Sequence, residues 1–380
     1  MRVAVVNQHL RDVVGGSELQ CHLIAAGLAG RGHDVRYVIP SERFDDVDLT
    51  GLPYEAVAVA DDPAALARAC IAFDADVVYW RRNRRGLKRF AGHLAGPRIP
   101  IVFATAHIDD VHRWPIRDWP AVSGPRDVLA ELRARASERA SWSAFGAVAA
   151  VALQREDFRG RLPVDDQRLV RNLIDPDWPR AGPVSTVWAW PRPFVLWLGR
   201  IQRRKRPEEL PELADALARH GVDVVVAGDA PDPGSARHVS GPGTPSNLHH
   251  VGLLPLEEVR AALSSARVLV LTAREEGMSN AMLQAWALGV PVVSLSYDPD
   301  RIISQERLGI VADGDRRVFH DATAAIARGD DGLGVADAAT IAGVARRMFG
   351  AEENLGVLEQ LLVDVARRAA APARREGRRG

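Results

Sequence analysis

The sequence has little cysteine, no long apolar run and no excess of either charge, and each absence excludes a class of protein. Its two cysteines, Cys21 and Cys70, lie inside apolar helical patterns and lack metal-ligand spacing. Such thiols make neither a disulfide scaffold nor a zinc module, and they read as buried structural residues of a protein from a reducing compartment. No segment reaches the roughly 18 uninterrupted apolar residues that a membrane-spanning helix needs. The opening "MRVAVVNQHL" holds an apolar stretch too short for a secretory leader, and it reads as a first strand. Lys and Arg total 49 and Asp and Glu total 49, a balance that disfavours a surface built for nucleic acid. The expected location is cytoplasmic.

What is present is a long alternation of short apolar runs and helical patterns. A chain of 380 residues, 47% of them apolar, exceeds what one hydrophobic core usually serves, so two domains are expected. Strand candidates in the first half are "RVAVVN", "DVRYVIP", "YEAVAVA", "DVVYW", "PIVFATA" and "GAVAAVA". The pattern restarts with "FVLWLG", "VDVVVAG", "NLHHVGL", "RVLVLTA" and "VPVVSL", again with helices between. This is the grammar of an α/β chain with two doubly wound, Rossmann-like parallel sheets, and the expected ligand site is a central cleft at the carboxyl ends of their strands. The stretch "NLIDPDWPRAGPVSTVWAWPRP" is rich in Pro and Trp and aperiodic, which marks the boundary. Residues 1–182 are assigned to an N-terminal domain, 183–350 to a C-terminal domain, 351–368 to a helix packing back toward the first, and 369–380 to a disordered basic tail.

Several constellations can carry chemistry. After the first strand, Gly15 and Gly16 permit close backbone approach, and Ser17 is placed to cap the next helix with Gln20 as its capping-box partner. Free N–H groups there suit an anion, although the spacing is not that of a dinucleotide-binding G-x-G-x-x-G. In "GRIQRRKRPEEL", Arg200 ends a strand and Lys205 follows in a loop before Pro207 opens a helix. A planar fork and a mobile point charge beside a helix start outline a pyrophosphate site. In "REEGMSNAMLQAWALGVP", Glu276 occupies a loop leaving a buried strand, Ser279 or Asn280 caps a helix, and Gly289 closes it before Pro291. "FATAHIDD" puts His107 just past a strand end with Asp109 and Asp110 beside it, without zinc spacing. "YWRRNRRGLKRF" concentrates Arg81, Arg82 and Arg84 with further basic residues, which fits an acceptor phosphate, an anionic membrane surface at the inner face, or a solvated helix face.

Taken together, "GGSE", "RLVRNLID", "GRIQRRK" and "EEGMSNAMLQAWALGVPVV" resemble glycosyltransferase family 4, the retaining nucleotide-sugar transferases of the GT-B fold, over nearly the whole chain. The resemblance implies that Arg200 and Lys205 hold the donor diphosphate. Glu276, the first glutamate of the family's E-x7-E motif, would face the donor sugar, with Gly277, Met278, Ser279 and Asn280 offering backbone groups. The Gly15, Gly16, Ser17 and Glu18 loop would close the donor site, Gly252, Leu253 and Leu254 would meet the base, and His107 would bind a sugar hydroxyl or orient the acceptor. The acceptor would be a hydroxyl of a glycan, a lipid-linked glycan or a small molecule, with Arg81, Arg82, Arg84, Asp109 and Asp110 as candidate contacts. No cofactor and no metal is implied. The motif's second glutamate falls on Gln284, where an amide offers one acceptor and one donor group in place of a carboxylate, so weakened donor binding is expected. Cell-envelope glycan assembly, natural-product glycosylation, nucleotide-sugar epimerisation, a catalytically degenerate relative and a two-lobed sugar-binding protein are the readings this leaves.

Overall fold

The computed structural model describes residues 1–11, 15–41, 48–82, 84, 86–111, 142–178, 188, 190–231 and 233–371. They form two compact units, Met1–Leu173 with Glu352 onward, and Ile174–Ala351. The first unit holds β1 (Arg2–Val6), β2 (Asp34–Pro40), β3 (Glu55–Val59), β4 (Val77–Trp80), β5 (Ile101–Ala104), β6 (Ala150–Leu153) and β7 (Gln167–Leu169). They pair in parallel in the order β3-β2-β1-β4-β5-β6-β7. The second unit holds β8 (Phe194–Leu198), β9 (Asp223–Ala227), β10 (Leu248–Gly252), β11 (Leu269–Leu271), β12 (Val292–Ser294) and β13 (Gly309–Val311). These are also parallel, in the order β10-β9-β8-β11-β12-β13. In both sheets the strand order reverses once, between β1 and β4 and between β8 and β11. Ligands of doubly wound sheets bind beyond the strand ends at such a switch point.

The central strands read as near-continuous apolar runs because both faces are covered. Within β8 and β9, Leu196 and Val225 face one core with Met282 and Trp286, while Val195, Trp197, Val224 and Val226 face the other with Leu213 and Phe319. Each fully buried Val, Leu or Phe contributes about 1.5–3 kcal/mol, so these alternating residues fix the register. Helix starts follow the expected chemistry where a capping residue is present: Asp62 accepts from the amides of Ala64 and Ala65 at 3.0 Å ahead of the Pro63–Ala72 helix.

The helix over Ala351–Ala370 groups with the first unit. Glu359 receives Arg31 at 2.7 Å and His33 at 2.8 Å, and Asp364 receives Arg168 at 2.8 Å. Gly27 admits it, since a Cβ there would lie 2.4 Å from Leu355 Cδ1. Hydrogen bonds from His33 and Arg31 hold the Glu359 carboxyl below its ordinary range. The expected tail shortens, because Ala369 and Ala370 complete this helix, and 372–380 lie outside the described residues. The division between the units falls at Leu173 and Ile174, at the start of the Pro- and Trp-rich stretch and ahead of the boundary expected after residue 182. Its physical basis is that Ile174 N–H donates to Phe349 O at 2.9 Å and Trp178 packs into the second core. Among the described residues no helix is long and apolar enough to cross a membrane.

Candidate functional site

In the second unit the predicted charges gather at the carboxyl ends of the central strands. β8 runs into Gly199 and Arg200, and β11 into the loop that bears Glu276. Lys205, on a single 3-10 turn over Arg203–Lys205, places Nζ 2.6 Å from Glu276 Oε1 and 2.7 Å from Oε2. The carboxylate side chain is 11% exposed and the ammonium 21%, so each is the other's main replacement for water. Arg200 Nε lies 3.1 Å from an Asp229 oxygen just past β9, in a more open pair. Both cations expected to meet a diphosphate are thus charge-neutralised by carboxylates in the ligand-free protein. An incoming dianion would compete with Glu276 for the ammonium and with Asp229 for the guanidinium.

The loop after Glu276 is held firmly. The hydroxyl of Tyr297 donates to Gly277 O, and the side chains of Met278 and Ser279 are buried. Ser279 is the N-cap of the Asn280–Ala287 helix, in extended conformation, and Gly289 with φ of 76° ends it as the sequence implies. Gln284 lies farther along, half-buried, with its carbonyl accepting from Trp178 Nε1 at 3.1 Å. At β10, Gly252 has φ of 78°, and its carbonyl accepts from Gly228 N–H at 2.8 Å. Leu253 beyond it is 58% exposed, whereas Leu254 packs against the core.

In the first unit the helix over Gly16–Gly30 begins differently from the capping box expected of Ser17 and Gln20. Gly15 is the N-cap, and Ser17 is already helical. Ser17 Oγ accepts from Asn7 Nδ2 at 3.1 Å, and Gln20 exchanges two hydrogen bonds with the Leu173 backbone at 2.6 and 2.8 Å. Both side chains tie the helix to its surroundings because the helix lies across the buried sheet end. Glu18 folds back over the helix start: a Cβ on Gly15 would lie 2.2 Å from its Oε2, so glycine there makes room for the carboxylate.

Beside this turn, sequence reasoning missed a buried relay. Arg11 N–H donates to His9 Nδ1 at 3.2 Å, which leaves the hydrogen of neutral His9 on Nε2 to donate to Tyr54 Oη at 2.8 Å. Tyr54 then donates to His22 Nδ1 at 2.7 Å. Burial, with His22 and Arg11 adding to it, pushes His9 down to about 4.

His107 is exposed just past β5, as expected, and Asp110 beside it serves the backbone. Asp110 Oδ2 accepts from the amides of Ala106 at 2.7 Å and His107 at 2.8 Å, so this buried carboxylate fixes the backbone that presents the imidazole. Asp109 offers its carbonyl to Arg84 at 3.0 Å. Among the described residues no three His, Cys, Asp or Glu side chains converge as a metal site. The arginines after β4 are largely drawn into the unit. Arg81 is 4% exposed, with Asn172 Oδ1 at 2.7 Å, which corrects its expected role at the surface: it continues the inward-facing end of a strand buried on both sides. Arg82 makes a two-pronged bond to Asp61 at 2.9 and 3.0 Å, and Arg84 lies over the Trp142 ring at 4.5 Å.

Burial raises the Asp110 carboxyl to about 6 against the opposing pull of its two amide bonds. The pH consequence has opposite signs at Asp110 and His9. His9 stabilises the fold fully above its unfolded value near 6.5, and this is lost as pH falls toward about 4. Asp110 burdens the fold above about 6 and relieves it as pH falls toward 3.8, an effect amounting to about 3 kcal/mol across the whole window. Asp110→Asn removes only the second. Denaturant unfolding of parent and variant should therefore show the parent gaining about 2 kcal/mol relative to the variant between pH 6 and pH 4. A difference that stays flat would show that Asp110 does not take up a proton there.

Residues 192–328 match the family described as Glycosyl transferases group 1. Over 226 residues the chain is 31% identical to alpha-maltose-1-phosphate synthase of Mycolicibacterium smegmatis, a match covering 54% of this chain and 56% of that protein. The chain thus matches little more than half the length of that curated relative. Among solved structures, sucrose-phosphate synthase from Thermosynechococcus elongatus superposes with a TM-score of 0.74 at 14% identity, covering 97% of this chain and 99% of that one. Anabaena Alr3699/HepE, solved with UDP and glucose, gives 0.67 at 15% identity, with 96% and 99% covered. The two parallel-sheet units have the GT-B fold.

Asp229, Gly199 and Gly228 carry a signal that could have been read. "LWLGR" and "VVAGD" each end a buried strand in glycine followed by a charge, and β8 and β9 are neighbours in the sheet.

Proposed function

We propose that the protein is a retaining, metal-independent glycosyltransferase of the family 4 type, moving a sugar from a nucleoside-diphosphate sugar to a hydroxyl of a glycan, a lipid-linked glycan or a small molecule. The observation that carries this is the Lys205–Glu276 pair beside Arg200 at the switch point of the second sheet. The family match over residues 192–328 and a structural neighbour solved with UDP and glucose support a sugar-nucleotide donor.

In the reaction the bond between the anomeric carbon and the diphosphate oxygen breaks, and a bond from the acceptor oxygen to that carbon forms on the same face. The hydroxyl proton passes to the departing diphosphate. Lys205 and Arg200 would stabilise the charge growing on that leaving group, joined by the start of the Asn280–Ala287 helix. Glu276, released from the ammonium, would accept from donor-sugar hydroxyls. His107, on amides fixed by Asp110, would bind a hydroxyl of sugar or acceptor. The half-buried amide of Gln284 would stand where ribose hydroxyls are held, with one acceptor and one donor.

The test is thermal unfolding in metal-free buffer with UDP, GDP, ADP and dTDP and their sugars, followed by product analysis of any donor that binds. A ligand at about 100 times its Kd adds about 2.7 kcal/mol, enough for a rise of several degrees. A selective shift and transfer to an added acceptor are expected. No shift with any nucleotide would overturn the reading, and conversion of the sugar nucleotide without acceptor would replace it with epimerisation.

A further inference from the structure

Three segments that bear the site's charges meet at one buried hydroxyl. Trp197 stands on β8, the strand that leads to Arg200, and its indole N–H donates to Thr272 Oγ1 at 2.9 Å. Thr272 is the first residue past β11, at the root of the loop that carries Glu276, and its hydroxyl donates to the backbone carbonyl of Lys205. The direction of this chain is forced. An indole nitrogen only donates and a carbonyl only accepts, so the single hydroxyl hydrogen must point to Lys205 while the oxygen receives Trp197. Thr272 is 1% and Trp197 2% exposed, so water does not reach the bond between them.

We propose that Thr272 is a positioning residue: held by Trp197, its hydroxyl sets the Lys205 backbone against the root of the Glu276 loop, so that ammonium and carboxylate are aimed before a donor arrives. This rests on the reading of Lys205 and Glu276 as donor-site groups. The Lys205 backbone has a tie of its own, its N–H to Gln202 O at 2.8 Å, but that bond lies within the same short turn. Without the hydroxyl, the Lys205 carbonyl loses its bond to the root of the Glu276 loop, and the ammonium gains freedom to leave the carboxylate.

The chain has two lysines, Lys88 and Lys205, which gives a readout independent of turnover. Lys88 is exposed, whereas Lys205 is clasped by both oxygens of Glu276. Amine acylation followed by peptide mass spectrometry measures the ratio of their rates. In Thr272→Val, which keeps the shape and removes the hydroxyl, the Lys205:Lys88 ratio should rise by about threefold or more, as an amine no longer clasped by both carboxylate oxygens spends more time open to the reagent. Thr272→Ser should keep the parent ratio, and Trp197→Phe should move it in the same direction as valine. With the donor and acceptor that the parent uses, Thr272→Val should lose about tenfold to a hundredfold in kcat, measured well below its unfolding midpoint, with the donor KM changed less. The serine variant should recover it.

An unchanged labelling ratio in Thr272→Val would overturn the proposal, and so would a raised ratio with parent-like kcat and KM, since the hydroxyl would then serve packing alone. If the parent transfers no sugar, the glycosyltransferase reading fails on that result, while the labelling ratios of the valine, serine and phenylalanine variants still decide whether Thr272 aims the pair.

Discussion

Replacing Lys205 by alanine should lower kcat by about 10²- to 10³-fold at saturating donor, the range seen when one preorganised donor to a developing anion is removed. The ammonium does two jobs. In the proposed reaction it would supply a compact charge to the leaving diphosphate, and in the free protein it compensates Glu276 at 2.6 and 2.7 Å, where the carboxylate side chain is only 11% exposed. Alanine leaves that carboxylate largely buried without its cation, facing the position proposed for the diphosphate. Donor affinity should therefore fall along with turnover. Lys205→Arg should retain more binding than alanine, because guanidinium keeps the charge, but a planar fork cannot sit on Glu276 in the manner of the smaller ammonium. Steady-state kinetics of the alanine variant decide the matter: a kcat within a few-fold of the parent would remove Lys205 from the reaction.

The fold was legible wherever strands are buried on both faces. Such strands must be apolar throughout, so β1, β2, β4, β8, β9 and β11 appear as runs that the helical patterns interrupt. β7 and β13 did not appear. Each is a three-residue edge strand with half-buried side chains, and a sheet edge does not demand an apolar run. The charged residues that gather past β8 and β11 stand out in the sequence by type, because a cation or carboxylate directly after a buried apolar strand is conspicuous. Their resting partners do not stand out. Asp229 reaches Arg200 from β9 and Thr272 reaches Lys205 from β11, and sequence distance gives no sign of strands that become neighbours only when the sheet is wound. Ser17 and Gln20 mark the complementary failure. Their spacing suits a capping box, yet burial against the sheet end offered Asn7 and the Leu173 backbone as partners. Asp110 belongs with them, since a carboxylate beside a histidine suggests chemistry while its oxygen is taken by two amides.

The second large effect expected is structural and lies under the same site. Gly228→Ala should destabilise the second unit by about 3–5 kcal/mol, from a strained backbone and an overpacked contact together. Gly228 has φ of 149°, a region open in practice to glycine alone, and a Cβ there would stand 1.9 Å from Gly199 O and 2.7 Å from Gly199 C. Those are backbone atoms at the end of β8, so no side chain can turn aside to admit the methyl group. Relief requires β8 and β9 to part at their carboxyl ends, against Gly199 N–H on Ala227 O at 3.0 Å, while Gly228 is held from the β10 side by its N–H on Gly252 O at 2.8 Å and by His250 Nε2 donating to its carbonyl at 2.9 Å. Arg200 follows Gly199 directly, and Ile201 N–H is fixed to Asp229 O at 2.8 Å, so the same movement displaces the guanidinium. Gly221→Ala separates the two causes. Gly221 also has a positive φ, of 65°, but nothing lies within 4 Å of its built Cβ, so only a strain of about 1 kcal/mol is expected there. Thermal unfolding should place Gly228→Ala about 10 °C below the parent and Gly221→Ala within a few degrees of it. Equal midpoints for the two variants would mean that the ends of β8 and β9 are not in contact at Gly199 and Gly228, and that a side chain there leaves the placement of Arg200 intact.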